Sequence, residues 1–167
     1  FTIEGQKNLF GDRTEVKKNE FTFILSEVTE DADGNKVMEP LGKAKNDADG
    51  KFTFDVAKLA GKYTEPGTYF YSITEEIGNE NGMKYDETVY EISVEVIDDG
   101  EGNLIVGNVG YSVNGNVTDD VTFNNNYDEP SGETKTGDPS NMLPLMALAT
   151  LAMIGAVGSV LFRRKKA

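Results

Sequence analysis

Within the run Thr88–Ile97, seven residues alternate without a break: Tyr90, Ile92, Val94 and Val96 fall on one face, Glu91, Ser93 and Glu95 on the other. A period of two sends successive side chains to opposite faces, so this segment specifies a strand with one dry and one wet side. The same signature recurs along the chain. Phe1–Phe10 reads as a strand, as does Glu20–Val28, where Phe21, Phe23 and Leu25 alternate with Thr22 and Ile24. Phe52, Phe54 and Val56 alternate with polar residues, Pro66-Gly67 opens the run GTYFYSITEE, and Val121–Tyr127 closes the series. Leu104–Val106 and Val109–Val113 read as a further pair of strands. Asp- and Gly-rich turns separate these runs at Asp31–Gly34, Asp47–Gly50 and Asp98–Asn103. Val56–Gly61 has room for one helical turn, and no ten-residue helical period precedes residue 140. The expected fold is all-β: an antiparallel, immunoglobulin-like β-sandwich of seven to eight strands.

Three polar residues break the apolar faces. Lys7 shares a face with Ile3 and Gly5, Glu75 with Tyr69, Tyr71 and Ile73, and Asn125 with Phe123 and Tyr127. An amine, a carboxyl and a carboxamide are thus aimed from three strands at one apolar interior. Together they are what a self-made amide bond between Lys7 and Asn125 needs, with Glu75 moving the protons. Burial disfavours charge, so it favours a neutral, nucleophilic Lys7 and a protonated Glu75. A neutral Glu75 can polarise the Asn125 carboxamide and protonate the departing ammonia. Each residue also has an ordinary reading. Lys7 at a strand edge can keep its amine in water. Glu75, beside Glu76, can be a solvated turn residue, and Asn125 can cap a turn. Lys17 and Lys18 compete with Lys7 for the lysine role but lie in a polar connection.

Composition removes other chemistries. The 167 residues include no Cys and no His, which excludes disulfides, thiol nucleophiles, Cys/His zinc sites and the usual general base. Residues 1–137 carry 28 of the 29 acids and 12 of the 16 bases, a net charge of −16. Such a surface repels nucleic acid and anionic membranes and is most simply read as a solubility device. No cofactor is expected. A calcium site at Asp31/Asp33/Asn35 or Asp47/Asp49 competes with plain Asp-Gly turns, and the twelve-residue calcium loop with its terminal Glu is absent.

After residue 128 the composition shifts. Residues 129–141 read as a polar linker, and 142–162 is a charge-free run of 21 residues followed by Arg163, Arg164, Lys165 and Lys166. About 20 apolar residues cross a bilayer, and a basic cluster tends to stay cytoplasmic. The chain is therefore expected to divide into a β-sandwich at 1–128, the linker, a single transmembrane helix at 142–162 and a basic cytoplasmic tail at 163–167, with the sandwich outside the cell. It begins at Phe1 and is read as the C-terminal piece of a longer precursor whose signal lies upstream. The tail resembles the cell-wall sorting signal of Gram-positive surface proteins, in which a sortase cuts between Thr and Gly of an LPxTG motif. Here the positions are Glu133-Thr134-Lys135-Thr136-Gly137, so Thr136 and Gly137 match and the Leu and Pro do not. A plain single-pass anchor is the alternative.

The runs GQKNLFGDRTEVKKNEFTFILSE, NDADGKFTF, GTYFYSITEE, YDETVYEISVEV and VTFNNNY resemble the pilin isopeptide-linkage domain of streptococcal-type major pilins, close to the collagen-adhesin B-type fold. The resemblance covers about residues 1–128. It implies a β-sandwich with its lysine on the first strand at Lys7, its glutamate in Tyr71-Ser72-Ile73-Thr74-Glu75, and its asparagine in Phe123-Asn124-Asn125-Asn126-Tyr127. It further implies terminal strands lying side by side and partners comprising a sortase, the cell wall and other pilin subunits. No pilin-type Tyr-Pro-Lys motif occurs in the chain. The expected function is a structural surface or pilus module on a Gram-positive cell. A ligand-binding adhesin with an aromatic platform at Tyr63, Tyr69, Phe70 and Tyr111 is the alternative. A turnover enzyme is not expected, because no carboxylate pair stands out from the turn acids.

Overall fold

The computed structural model describes residues 1–59, 61 and 63–132. Among them the chain is all-β apart from one short helical turn. The strands are β1 (Thr2–Gly11), β2 (Thr22–Glu30), β3 (Lys36–Lys45), β4 (Lys51–Asp55), β5 (Gly67–Glu75), β6 (Met83–Lys84), β7 (Tyr90–Asp98), β8 (Leu104–Val113), β9 (Asn116–Thr118) and β10 (Thr122–Tyr127), with α1 (Val56–Leu59) after β4. They form a four-stranded sheet, β4-β1-β10-β6, and a six-stranded sheet, β3-β2-β5-β7-β8-β9. The two sheets meet through aromatics: Phe23 of β2 stacks on Phe52 of β4 with centroids 3.7 Å apart, and Phe123 of β10 lies 5.3 Å from Phe23. Each large apolar side chain so buried contributes about 1.5–3 kcal/mol. Gly5 leaves the room this stack requires, because a Cβ at that position would overlap the Phe52 ring.

Three corrections to the expected architecture have physical causes. Ten strands are present among the described residues, not seven to eight. The added ones are β3, β6 and β9; β3 and β9 lie at the two ends of the larger sheet and β6 at one end of the smaller. β3 escapes the alternation test because Pro40 and Leu41 sit at a bulge: Leu25 pairs with Gly42 but Ser26 with Pro40. Proline and charge are tolerated there because an edge strand leaves one side of its backbone unpaired. Second, the expected strand pair at 104–113 is a single strand. The register steps from Glu95↔Asn108 to Val96↔Val106, so Gly107 is the extra residue of a β-bulge. Third, the sandwich is not wholly antiparallel. β1 and β10 run parallel, with Lys7 opposite Phe123 and Leu9 opposite Asn125.

No helix among the described residues is long and apolar enough to cross a membrane. The expected linker beyond residue 132, the membrane span at 142–162, the basic tail at 163–167 and the Thr136-Gly137 site lie outside the described residues.

Candidate functional site

The inward face of β1 carries Ile3, Lys7 and Leu9, all buried. Lys7 cannot turn outward without taking Ile3 and Leu9 with it, since a strand's faces are fixed by its register. Its backbone N–H is held by the Gly50 carbonyl at 2.8 Å. Gly50 has φ +83°, and a side chain there would strike the Lys7 carbonyl, so the Asp47–Gly50 turn needs glycine to come this close. Glu75 ends β5 opposite Phe23, and Asn125 lies on β10.

These three side chains converge. Lys7 is 1% exposed, Glu75 5% and Asn125 1%. Lys7 Nζ donates to Glu75 Oε2 at 2.8 Å. Asn125 Nδ2 donates to Glu75 Oε1, also at 2.8 Å. One carboxyl therefore touches both the amine and the carboxamide nitrogen. The Asn125 oxygen is not on Glu75; it accepts the backbone N–H of Asp86 at 2.8 Å. That contact fixes the orientation of the amide, because an N–H can face only the carbonyl oxygen.

The surroundings are apolar. The Phe21 ring covers Lys7 Nζ at 4.8 Å from its centroid, and Tyr85 meets Phe21 edge-on at 6.4 Å. Burial pushes the Lys7 amine below its ordinary 10.5, against the opposing pull of the Glu75 carboxylate. Burial likewise raises Glu75 above its ordinary 4.5, against the hydrogen bonds and charge of Lys7. Both shifts move the pair towards a neutral amine beside a neutral acid. Among the described residues, no buried side-chain polar atom lacks a hydrogen-bond partner.

Of the residues expected at the site, Lys7, Glu75 and Asn125 are brought together. The rivals Lys17 and Lys18 are exposed. The four aromatics of the adhesin alternative do not form one row: Tyr63, Tyr69 and Tyr111 pack against the core, while Phe70 is exposed. The Asp31 Oδ1 accepts the N–H groups of Asp33 and Asn35, and the Asp47 Oδ1 those of Asp49 and Lys51, as in ordinary Asx turns.

Three supporting residues escaped the sequence reading. Asn46, 1% exposed, accepts the Phe21 N–H at 2.7 Å and donates to the Lys17 and Asp47 carbonyls. It thereby fixes the segment that lays Phe21 over the amine. Tyr90 Oη donates to the Thr122 carbonyl and accepts the Thr122 N–H, tying β7 to β10. Asp86, in the loop between β6 and β7, spans from Thr88 to Asn124. Only Asp86-x-Thr88 carries a local signal, that of an Asx turn; nothing in the sequence places it beside Asn125.

Comparison with known proteins bears on the fold and the family. No curated protein sequence matches the chain. The crystal structure of the major pilin from Streptococcus pyogenes superposes with a TM-score of 0.56 at 23% identity, covering 75% of this chain and 50% of that one. A second major pilin from the same organism gives 0.54 at 19% identity, covering 75% and 52%. These likenesses concern the fold, and the chain spans about half the length of the pilins it matches. The family model for the Spy0128-like isopeptide-containing domain, FctA, matches residues 3–128. That match spans most of the sequence, and the chain belongs to the Spy0128-like isopeptide-containing family.

Proposed function

We propose that Lys7 and Asn125 join in a self-formed isopeptide bond and that the chain is a structural module of a Gram-positive cell surface or pilus. The observation that carries this reading is the single Glu75 carboxyl hydrogen-bonded at once to Lys7 Nζ and Asn125 Nδ2. Transfer of one proton from Lys7 to Glu75 gives an amine and a carboxylic acid. The Lys7 lone pair attacks Asn125 Cγ, and the C=O electrons move to the oxygen. Glu75 protonates Asn125 Nδ2 and takes back a proton from the attacking nitrogen. The carbon–nitrogen bond to Nδ2 breaks, ammonia leaves, and Glu75 ends protonated, as it was when the attack began. Holding the reactants in place supplies up to about 7–11 kcal/mol of the barrier, so folding takes the place of a separate enzyme. Loss of ammonia to solvent makes the single turnover one-way.

The mechanical consequence follows from topology. β1 and β10 are parallel neighbours, so tension applied across the two ends of the domain shears this pair. A bond between residues 7 and 125 carries that load and shields the 118 positions of chain it closes. Residues 129–141 then serve as a linker carrying Thr136 and Gly137 as the sorting cleavage site, with 142–162 as membrane span and 163–167 as cytoplasmic tail. The partners are a sortase, the cell wall and other pilin subunits.

Intact mass tests the bond. The expected result is a folded chain lighter than its sequence by one ammonia, with the deficit abolished by Lys7→Ala, Glu75→Ala or Asn125→Ala. A folded chain at full sequence mass overturns the proposal.

A further inference from the structure

We infer that Asp86 builds the oxyanion site for this reaction: its backbone N–H receives the charge that develops on the Asn125 oxygen, and its carboxylate holds that N–H in place. The inference rests on the crosslink reading above and assigns a role to a residue outside the Lys7–Glu75–Asn125 set.

Attack on Asn125 Cγ turns a carbonyl oxygen into an alkoxide-like one. In a dry site that charge needs a fixed donor. Glu75 cannot be that donor in this arrangement, because its two oxygens are occupied by Lys7 Nζ and Asn125 Nδ2. The Asp86 N–H, 2.8 Å from Asn125 Oδ1, is already where it is needed. Glu75 handles protons on the nitrogen side of the amide and Asp86 handles charge on the oxygen side. The two roles are separated by the plane geometry of one carboxamide.

The Asp86 side chain explains why a loop residue can hold such a donor still. Oδ2 accepts the Asn124 N–H of β10 at 2.7 Å, and Oδ1 accepts the Thr88 N–H at 2.9 Å. Residue 86 is therefore bound to β10 twice, through its carboxylate at Asn124 and through its own N–H at the Asn125 side chain. Loop and strand form a closed clamp around the reacting amide. The donor is preorganised, which is the condition under which a single oxyanion contact matters to a rate.

The test follows ammonia loss by mass during refolding of the full chain. Three forms are compared with wild type: a semisynthetic chain with an ester in place of the residue 85–86 amide, which deletes the N–H and keeps the carboxylate, and the variants Asp86→Ala and Asp86→Asn. Circular dichroism, in a Lys7→Met background that cannot crosslink, checks that each folds. The ester form is expected to lose ammonia about 10²–10³ times more slowly while folded, the range seen when one oxyanion donor is removed. Asp86→Ala is expected to slow the reaction as well, and Asp86→Asn, which keeps the N–H and one acceptor, to recover part of the rate. A folded ester form reacting at the wild-type rate overturns the inference and leaves the crosslink standing. Should the ester form not fold, a folded Asp86→Ala chain reacting at the wild-type rate does the same. A folded wild type that never loses ammonia removes both.

Discussion

Glu75 and Glu76 are neighbours in the chain, and each is paired with a lysine at almost the same distance. Lys7 Nζ lies 2.8 Å from Glu75 with both side chains fully buried; Lys43 Nζ lies 2.6 Å from Glu76 with side chains 55% and 45% exposed. Distance does not separate the two pairs; hydration does. At the surface water screens both charges, and such a pair is worth about 0–1 kcal/mol. Inside, the loss of water is the largest influence on both groups and drives them towards neutrality. The one-residue step from Glu75 to Glu76, at the end of β5, thus separates a solvated ion pair from a buried amine beside a buried acid. The strand's alternation makes that step, because adjacent residues point to opposite faces.

The sharpest way to break this contrast is to remove the buried carboxylate alone. Glu75→Gln leaves Lys7 in a dry site with no counter-charge, a change that costs about 3–5 kcal/mol. It also forfeits the crosslink, worth roughly 5 kcal/mol for a closed loop of this length on a chain-entropy model. The two losses are expected to add in guanidinium unfolding. This variant should also respond to pH in a defined sense. Lys7 is held below its ordinary 10.5 by burial, so the folded state binds fewer protons than the unfolded one. Stability is then full above 10.5 and is lost as pH falls through that value towards the folded one. Melting temperatures of Glu75→Gln should therefore rise from neutral pH towards 10.5, and those of Glu75→Gln/Lys7→Met should not.

Lys7→Met comes next. It also abolishes the bond, but it leaves a buried acid that can stay protonated rather than a buried amine that must either keep an unpaired charge or give up its proton. Its expected loss is the crosslink contribution of roughly 5 kcal/mol alone, so it should unfold at higher denaturant than Glu75→Gln. The reverse order would mean that the buried pair is not governed by dehydration.

The rate of ammonia loss should itself be bell-shaped in pH. At low pH both groups are protonated and Lys7 has no lone pair to offer. At high pH the shared proton is gone and Glu75 cannot protonate the leaving nitrogen. Since burial raises one group and lowers the other, the limbs should be displaced from the ordinary values of 4.5 and 10.5 that bound the intervening interval. A rate that climbs steadily through that interval would contradict the proton-sharing role of Glu75.

The smallest effect belongs to the surface pair. Lys43→Met or Glu76→Gln should change stability by no more than about 1 kcal/mol and leave ammonia loss untouched.

The same contrast between face and position explains how much was legible in the sequence. β7 could be read because it lies inside the larger sheet with one face buried, so its period of two is unbroken. Lys7, Glu75 and Asn125 could be read because each interrupts such a face, and a buried polar residue stands out against apolar neighbours. β3 could not, because it combines an edge position, Pro40 and a bulge. That β1 and β10 are neighbours came only from the family resemblance, and their parallel direction was not foreseen at all, because residue spacing is blind to strand direction. Asp86 was hidden for a different reason. It acts through a backbone N–H, which every residue but proline possesses, and 39 positions of chain separate it from the oxygen it contacts.

The most direct test of the central claim is tryptic digestion of the folded chain followed by fragmentation mass spectrometry. An amide on Lys7 blocks cleavage there and ties residues 1–13 to residues 85–135. The account predicts one branched species, lighter by one ammonia, whose fragments place the junction at Lys7 and Asn125. Separate linear peptides, with cleavage after Lys7 and an intact Asn125 carboxamide, would contradict it.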